Sequence, residues 1–337
     1  MRREAKAAWV LVLLSPVFGE LVSTSMPPLE FFNPLGFLGV LGLYGCGALL
    51  IREASVRWGK GWAFILLMGA AYGILEEGIV VQSWFNPGWM DLGILGSYGR
   101  FGGVNWVWAT WLTVYHMTIS IALPIFLIDV LFPQYKGRPL LKMDELWWPA
   151  TAFATTCVVM FVFFLVIGGY QWGPEYGISL VLALGFVAAA RQVPAQLLRP
   201  RATVPMRRAY PLAILGFFWI LLAFVGAGPA YEAGAHPFIP AYFGILSTLL
   251  VWPLVFGLST PQTLERNLMA FFIGAEAVFI MIGAVLGIFA PVAYFGSTVV
   301  SATAAFGLVR LYLRTRAKTT EPSVVPLPPP GGGLPSA

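Results

Sequence analysis

Long apolar runs recur along almost the whole 337-residue chain, and they constrain the fold more than any other feature. Each approaches the roughly 20 residues that an α-helix needs to cross a bilayer. The chain is only 10% charged, whereas a soluble domain carries about 25% charged residues. The short alternating strands typical of an outer-membrane barrel are missing from the sequence pattern. The sequence therefore predicts an all-α, polytopic transmembrane helical bundle.

Ten spans are predicted, separated by Pro/Gly-rich gaps. They cover residues 7–25, 35–52, 62–83, 105–131, 148–168, 176–190, 210–228, 239–258, 267–288 and 291–311. With the N-terminus inside, every one of the 20 Lys and Arg residues except Arg100 falls on the cytoplasmic side. Because cytoplasmic loops are enriched in Lys and Arg, we expect a multi-pass protein of the cell membrane with both termini cytoplasmic.

The span pattern divides the chain into three regions. Residues 1–131 form a four-span N-terminal half that carries a cluster of buried glutamate and histidine side chains. Residues 132–311 form a six-span C-terminal half. Residues 312–337 are rich in proline and glycine, so we expect them to form a disordered cytoplasmic tail.

Several classes of site are disfavoured by the composition. The only cysteines, Cys46 and Cys157, lie inside apolar runs and are expected to pack as small hydrophobic side chains. The only histidines are His116 and His236, which excludes a zinc site built from several histidines. There is no phosphate-binding glycine motif, and the net charge of +5 is explained by topology. We therefore expect no cofactor, no metal and no nucleic acid, and the lipid bilayer as the main partner.

Four predicted spans carry ionisable groups well inside their apolar runs. Glu76 and Glu77 are adjacent in the third span and His116 lies in the fourth, while Glu20 and Glu276 lie in the first and ninth. A charged side chain at the bilayer centre costs about 2.5–3.5 kcal/mol on insertion scales, and such residues usually mark a functional site. We predict Glu76, Glu77 and His116 as catalytic residues, with Glu20 and Glu276 binding substrate or protons.

The positions of these residues on their helices add further candidates. Gly69, Gly73 and Glu77 follow each other at four-residue spacing, which predicts that another helix packs closely on this face. Neighbouring helical residues diverge by about 100°, so the two carboxylates should have separate tasks. Asn105 and Ser120 share a polar stripe with His116, and Asn86 belongs to a repeated Phe-Asn-Pro sequence. These three are also predicted to bind substrate or protons.

The Glu-Glu pair followed one span later by a histidine resembles the intramembrane glutamate proteases of the CAAX-protease and bacteriocin-processing type. The resemblance covers residues 62–125 and implies that Glu76 or Glu77 activates a water molecule. It also implies that His116 helps to stabilise the oxyanion. The sequence departs from that family at Val81, where an arginine is expected, and in having no second membrane histidine.

Three functions remain open from the sequence. The first is an intramembrane hydrolase that acts on a peptide or lipid-like substrate through general-base activation of water. The second is a proton- or cation-coupled transporter of a small molecule, favoured by the number of spans and by Glu276. The third is a membrane scaffold or assembly factor.

Overall fold

The protein is described by a computed structural model that covers residues 3–89, 91–167 and 173–320. It is mostly helical, and ten principal helices follow one another along the chain. They are α1 (Arg3–Pro16, continued by Val17–Leu21), α2 (Pro34–Arg57), α3 (Trp62–Val80), α4 (Trp106–Leu131), α5 (Met143–Ile167), α6 (Glu175–Gln192), α7 (Tyr210–Val225), α8 (Phe238–Gly257), α9 (Leu264–Phe289) and α10 (Ser297–Thr320). Short helical turns cover Pro28–Phe31, Gly93–Gly96, Pro133–Tyr135 and Ala227–Glu232, and two strands, β1 (Arg100–Phe101) and β2 (Val104–Asn105), pair antiparallel.

Within the described residues, six helices are long and apolar enough to cross a membrane: α2, α3, α4, α5, α8 and α9. The helix α7 is apolar but shorter. The prediction of a helical multi-pass membrane protein is therefore confirmed. The count of ten spans and the cytoplasmic position of both termini stay predictions; each predicted span overlaps one of the ten helices, with ends that differ by up to nine residues.

The C-terminal boundary differs from the sequence prediction. The last helix continues to Thr320, so residues 312–320, assigned to the tail by the sequence, are helical. Arg314 and Arg316 lie near its end, where positive side chains interact favourably with the helix dipole. Residues 321–337 lie outside the described residues.

The centre of the bundle is formed by α3 and α4. In the most apolar 18-residue stretches of α3 and α4, 78% and 89% of the residues are buried, whereas no residue is buried in the corresponding stretch of α5. Apolar side chains such as Val158 and Phe163 on α5 are exposed, as expected for a helix that faces lipid chains. Helices from the two predicted halves pack together, since α6 contacts α3, α5 contacts α2, and α8 contacts α4.

A buried arginine holds the loop after α4 against the end of α2. The Arg52 side chain, 2% exposed, donates hydrogen bonds to the carbonyl oxygens of Tyr135 and Arg138 at 2.9 and 3.1 Å. It also lies 3.6 Å from an Asp129 carboxylate oxygen. Glu53 accepts from the Leu140 amide at 2.7 Å. This network fixes the loop that connects α4 to α5.

The mutation Arg52→Lys is expected to lower the free energy of unfolding by about 1–2 kcal/mol, because an ammonium group cannot replace the planar fork that reaches two carbonyls. The melting temperature of the purified protein measures this change. Arg138→Lys is the matched control: it makes the same exchange of a guanidinium for an ammonium group at an exposed position of the loop after α4, and it keeps the carbonyl that Arg52 binds. Equal melting temperatures for Arg52→Lys and the unmutated protein would contradict the role given to the guanidinium.

Candidate functional site

Five of the eight predicted site residues lie on π-helical segments, which end α1 and α3 and interrupt α4. Glu20 is in Val17–Leu21, Glu76 and Glu77 open Glu76–Val80, and His116 and Ser120 are in His116–Ala122. A fourth segment, Leu41–Gly45, carries Tyr44. Backbone hydrogen bonds in these segments join residues five apart, where an α-helix joins residues four apart. One example is the bond that the Val81 amide donates to the Glu76 carbonyl at 2.8 Å. Single π-helical turns within α-helices are frequent at functional sites.

The imidazole of His116 lies between the two adjacent carboxylates. Its Nε2 is 2.9 Å from Glu77 Oε1, and its Nδ1 is 3.3 Å from Glu76 Oε2. All three side chains are buried. The sequence predicted separate tasks for Glu76 and Glu77. The two carboxylates do diverge, but both contact His116, each at a different ring nitrogen.

Glu77 is held by a chain of hydrogen bonds. The Ser83 hydroxyl donates to Glu77 Oε2, and Trp108 Nε1 donates to Ser83 Oγ at 3.0 Å. On the other side of the ring, His116 Nδ1 is 3.1 Å from Ser120 Oγ. Because an ionised carboxylate only accepts, a proton on His116 Nε2 satisfies Glu77, and the Ser120 hydroxyl can then donate to Nδ1. This chain fixes the orientation of the ring.

Glu76 is less completely bonded than Glu77. Its Oε2 atom is buried and has no hydrogen-bond partner within the described part of the chain. Tyr72 interacts with the same carboxyl group, yet its hydroxyl also lacks a hydrogen-bond partner there. A buried polar atom without a partner is costly, so this pair of groups is suited to bind a water molecule or a polar substrate group.

A third carboxyl group borders the cluster. Glu20 accepts a hydrogen bond from the Tyr44 hydroxyl, and it interacts electrostatically with Glu76, Glu77 and His116. The Tyr44 ring centre is 5.8 Å from that of His116. Glu20, Glu76, Glu77, His116 and Ser120 thus belong to one site.

Two glycines allow the close approach of α3 and α4. A Cβ atom on Gly73 would lie 2.8 Å from His116 Cβ, and one on Gly69 would lie 2.8 Å from Met117 Cα. Both distances are too short for a real side chain. The prediction that Gly69 and Gly73 mark a close helix contact beside Glu77 is confirmed.

The remaining predicted site residues make other contacts. Asn86 Oδ1 accepts from the Gly88 amide at 2.9 Å in a turn. Asn105 caps α4 by accepting from the Trp108 amide at 3.1 Å. Glu276 is fully buried on α9, and both its carboxylate oxygens lack a hydrogen-bond partner among the described residues. A role for these three in binding stays a prediction.

Glu76, Glu77 and His116 could also hold a metal ion. Each offers one ligand atom, and these atoms lie within 4.8 Å of one another. Two carboxylate oxygens and one imidazole nitrogen suit several divalent cations. Sequence reasoning expected no metal, because it counted histidines and cysteines and did not weigh a mixed carboxylate set.

Tyr44 and Trp108 are site residues that sequence reasoning missed. Each is one aromatic residue among many in this chain, which contains 12 Tyr and 13 Trp. Only the folded arrangement brings the Tyr44 hydroxyl to Glu20 and the Trp108 indole to Ser83. A weak signal existed for Ser83, which follows Glu76 on the same predicted helix face.

Comparison with known proteins gives one result. A family model described as an uncharacterized membrane protein family matches residues 9–324. No curated protein and no solved structure matches the chain.

Proposed function

The chain belongs to this membrane protein family. We propose that this protein is an intramembrane hydrolase with Glu76, Glu77 and His116 as catalytic residues. The observation that carries the proposal is the His116 ring, held 2.9 Å from Glu77 while a Glu76 oxygen lies 3.3 Å away without a hydrogen bond. A nucleophile-activating base needs such a free oxygen beside an oriented proton donor.

The two glutamates take different roles in this proposal. Glu76 is the general base: its free oxygen takes a proton from water as the water oxygen bonds to the substrate carbonyl carbon. Protonated at both ring nitrogens, His116 keeps its Nε2–H on Glu77 and donates its Nδ1–H to the oxyanion that forms, a role that the Glu-Glu/His resemblance implies. Glu77 orients His116, and Ser83 in turn holds Glu77. Collapse of the tetrahedral intermediate then breaks the bond to the leaving group, which receives the proton from Glu76.

The charge balance of the cluster supports acid–base chemistry. Three carboxyl groups, those of Glu20, Glu76 and Glu77, surround a single imidazole. Ionised carboxylates in a buried site are costly unless they are paired. The cluster therefore retains protons or binds a cation, and either can supply the proton or the positive charge that a hydrolytic step needs.

An apolar cavity near the site supports the proposal that the substrate is apolar. It has a volume of about 330 Å³ and is lined by residues of α1, α4 and α10, among them Val17, Leu21, Leu127 and Leu308. Val17 and Leu21 are the ends of the π-helical segment that carries Glu20. A lipid-like acyl chain or an apolar peptide segment that entered here would lie beside the element that carries one of the site carboxylates.

The proposal is tested with purified protein in liposomes and two fluorogenic probes, a quenched apolar peptide library and a long-chain acyl ester. We expect the unmutated protein to hydrolyse at least one of them faster than the double variant Glu76→Gln/Glu77→Gln. Equal rates for both proteins on both probes would refute hydrolysis of peptides and esters.

A proton-coupled transporter is the second candidate, and Glu276 favours it. This carboxyl group is fully buried, and it interacts electrostatically with Tyr115, which precedes His116 on α4. Buried acids in membrane helices often carry protons. If the protein is a transporter, Glu276→Gln should abolish proton uptake into liposomes that contain a pH-sensitive dye, whereas hydrolysis alone predicts no difference from the unmutated protein.

Chelation separates the metal-free mechanism from a metal-dependent one. Both ring nitrogens of His116 already have side-chain partners within 3.1 Å, so we expect hydrolysis to continue at an unchanged rate in EDTA. Loss of activity in EDTA and its recovery with Zn²⁺ or Mn²⁺ would instead show that Glu76, Glu77 and His116 act as ligands.

A further inference from the structure

Four arginines converge on a cavity far along the chain from the Glu-Glu-His cluster. The cavity has a volume of about 370 Å³ and is lined by Arg207, Arg208, Ala209, Tyr210, Arg266, Tyr312 and Arg316. Three helix ends meet there, the starts of α7 and α9 and the end of α10. All four arginines belong to segments that the charge pattern assigns to the cytoplasmic side.

Arg266 gives this cavity a buried positive charge. Its side chain is 8% exposed, and it donates to the Met206 carbonyl at 2.7 Å and to Asn267 Oδ1 at 3.0 Å. These neutral acceptors fix the guanidinium but do not neutralise it. Among the described residues, no carboxylate lies within ion-pair distance of Arg207, Arg208 or Arg266. A buried charge without an opposite charge is costly, and a bound anion would offset that cost.

The helix ends add to the positive potential. Tyr210–Ile220 has 11 residues and Leu264–Phe289 has 26, and neither N-terminus is capped by the side chain at its N-cap position. The helix dipole at such ends favours an anion. The guanidinium groups can bind phosphate oxygens in pairs. Basic pockets between membrane helices on the cytoplasmic side bind the headgroups of anionic lipids.

We propose that this arginine pocket is a binding site for a phosphate group, carried by an anionic phospholipid headgroup or present as free phosphate. The site is separate from the hydrolase proposal, because none of its residues belongs to the Glu-Glu-His cluster. In the lipid case, the headgroup would hold the ends of α7, α9 and α10 together at the cytoplasmic surface.

Calorimetric titration of the full-length protein in detergent tests the proposal with three probes. They are inorganic phosphate, micelle-forming dihexanoyl phosphatidylglycerol and dihexanoyl phosphatidylcholine, all at constant ionic strength. The variant Arg207→Gln/Arg208→Gln changes two exposed arginines of the pocket. The control Arg310→Gln/Arg314→Gln removes the same charge from exposed positions of α10 outside it.

We expect phosphate, phosphatidylglycerol or both to bind the unmutated protein, and the Arg207/Arg208 variant to weaken that binding about tenfold or more. The Arg310/Arg314 variant should change the affinity by less than about twofold, since exposed charges that do not line the pocket are largely screened by salt. Binding of phosphatidylglycerol but not of inorganic phosphate identifies a lipid site, and the reverse identifies a free-phosphate site. Absence of binding to either, equal binding of phosphatidylglycerol and phosphatidylcholine without phosphate binding, or equal losses in the two variants would overturn the proposal.

Discussion

Replacing Glu76 by glutamine is expected to lower the rate of hydrolysis by about 10²- to 10⁴-fold, the usual contribution of a positioned general base. Glutamine keeps the size of the side chain and its contact with Tyr72, but it cannot accept the proton of water. The loss should appear in kcat, because the glutamine variant still binds the substrate. The measurement is the turnover of the better of the two fluorogenic probes in liposomes.

The rate loss in Glu77→Gln, compared with that in Glu76→Gln, tests whether the two glutamates have different roles. A glutamine at this position can still accept from His116 and contact Ser83, so we expect a loss clearly smaller than that of Glu76→Gln. Glu77→Leu removes both contacts and should lower the rate further, because the ring loses its orientation. Glu30→Gln, which changes an exposed acid in the loop after α1, is the control and should leave the rate unchanged. A larger loss in Glu77→Gln than in Glu76→Gln would exchange the roles of the two residues.

Replacing Gly274 by alanine is expected to lower the free energy of unfolding by about 3 kcal/mol or more, at the upper end of the cost of overpacking. A Cβ atom on Gly274 would lie 1.8 Å from the Ala213 carbonyl oxygen, and one on Gly216 would lie 2.2 Å from the Phe271 carbonyl oxygen. Here α7 and α9 touch backbone to backbone. Because the obstacle is backbone and not a movable side chain, α7 and α9 would have to separate.

A thermal unfolding experiment on the purified protein measures this effect, with an expected decrease of roughly 5 °C or more. Gly307→Ala is the matched control, because no atom lies within 4 Å of the Cβ that it adds to α10. Alanine favours a helix over glycine by up to about 1 kcal/mol, so this control should be neutral or slightly stabilising. A melting temperature of Gly274→Ala equal to that of Gly307→Ala would show that α7 and α9 are not in backbone contact.

The close contacts between helices show which packing a sequence pattern predicts and which it does not. Gly69 and Gly73 were identified as contact positions from their spacing relative to Glu77, since small residues at four-residue steps lie on one helix face. The contact between Gly216 and α9 is tighter, but no ionisable residue lies near Gly216 in the apolar run of α7 to mark it. The backbone that it contacts, at Phe271 and Ala275, belongs to another apolar run, and the pairing of two runs far apart in the chain cannot be predicted from local spacing.

The membrane character, the positions of the helices and the choice of Glu76, Glu77 and His116 as candidate site residues followed from the sequence alone. Length and hydropathy set the first two, because a span must satisfy its own backbone hydrogen bonds and so must be a helix. The three candidate site residues were identified because they are ionisable groups inside apolar runs. The tertiary structure decided which groups meet: it put Glu20 and Tyr44 beside the cluster, and it placed Glu76 and Glu77 at opposite nitrogens of His116. It also gathered four arginines from three separate segments of the chain into one cavity. Helix pairing and π-helical turns govern those encounters, and both depend on packing between segments far apart in the chain.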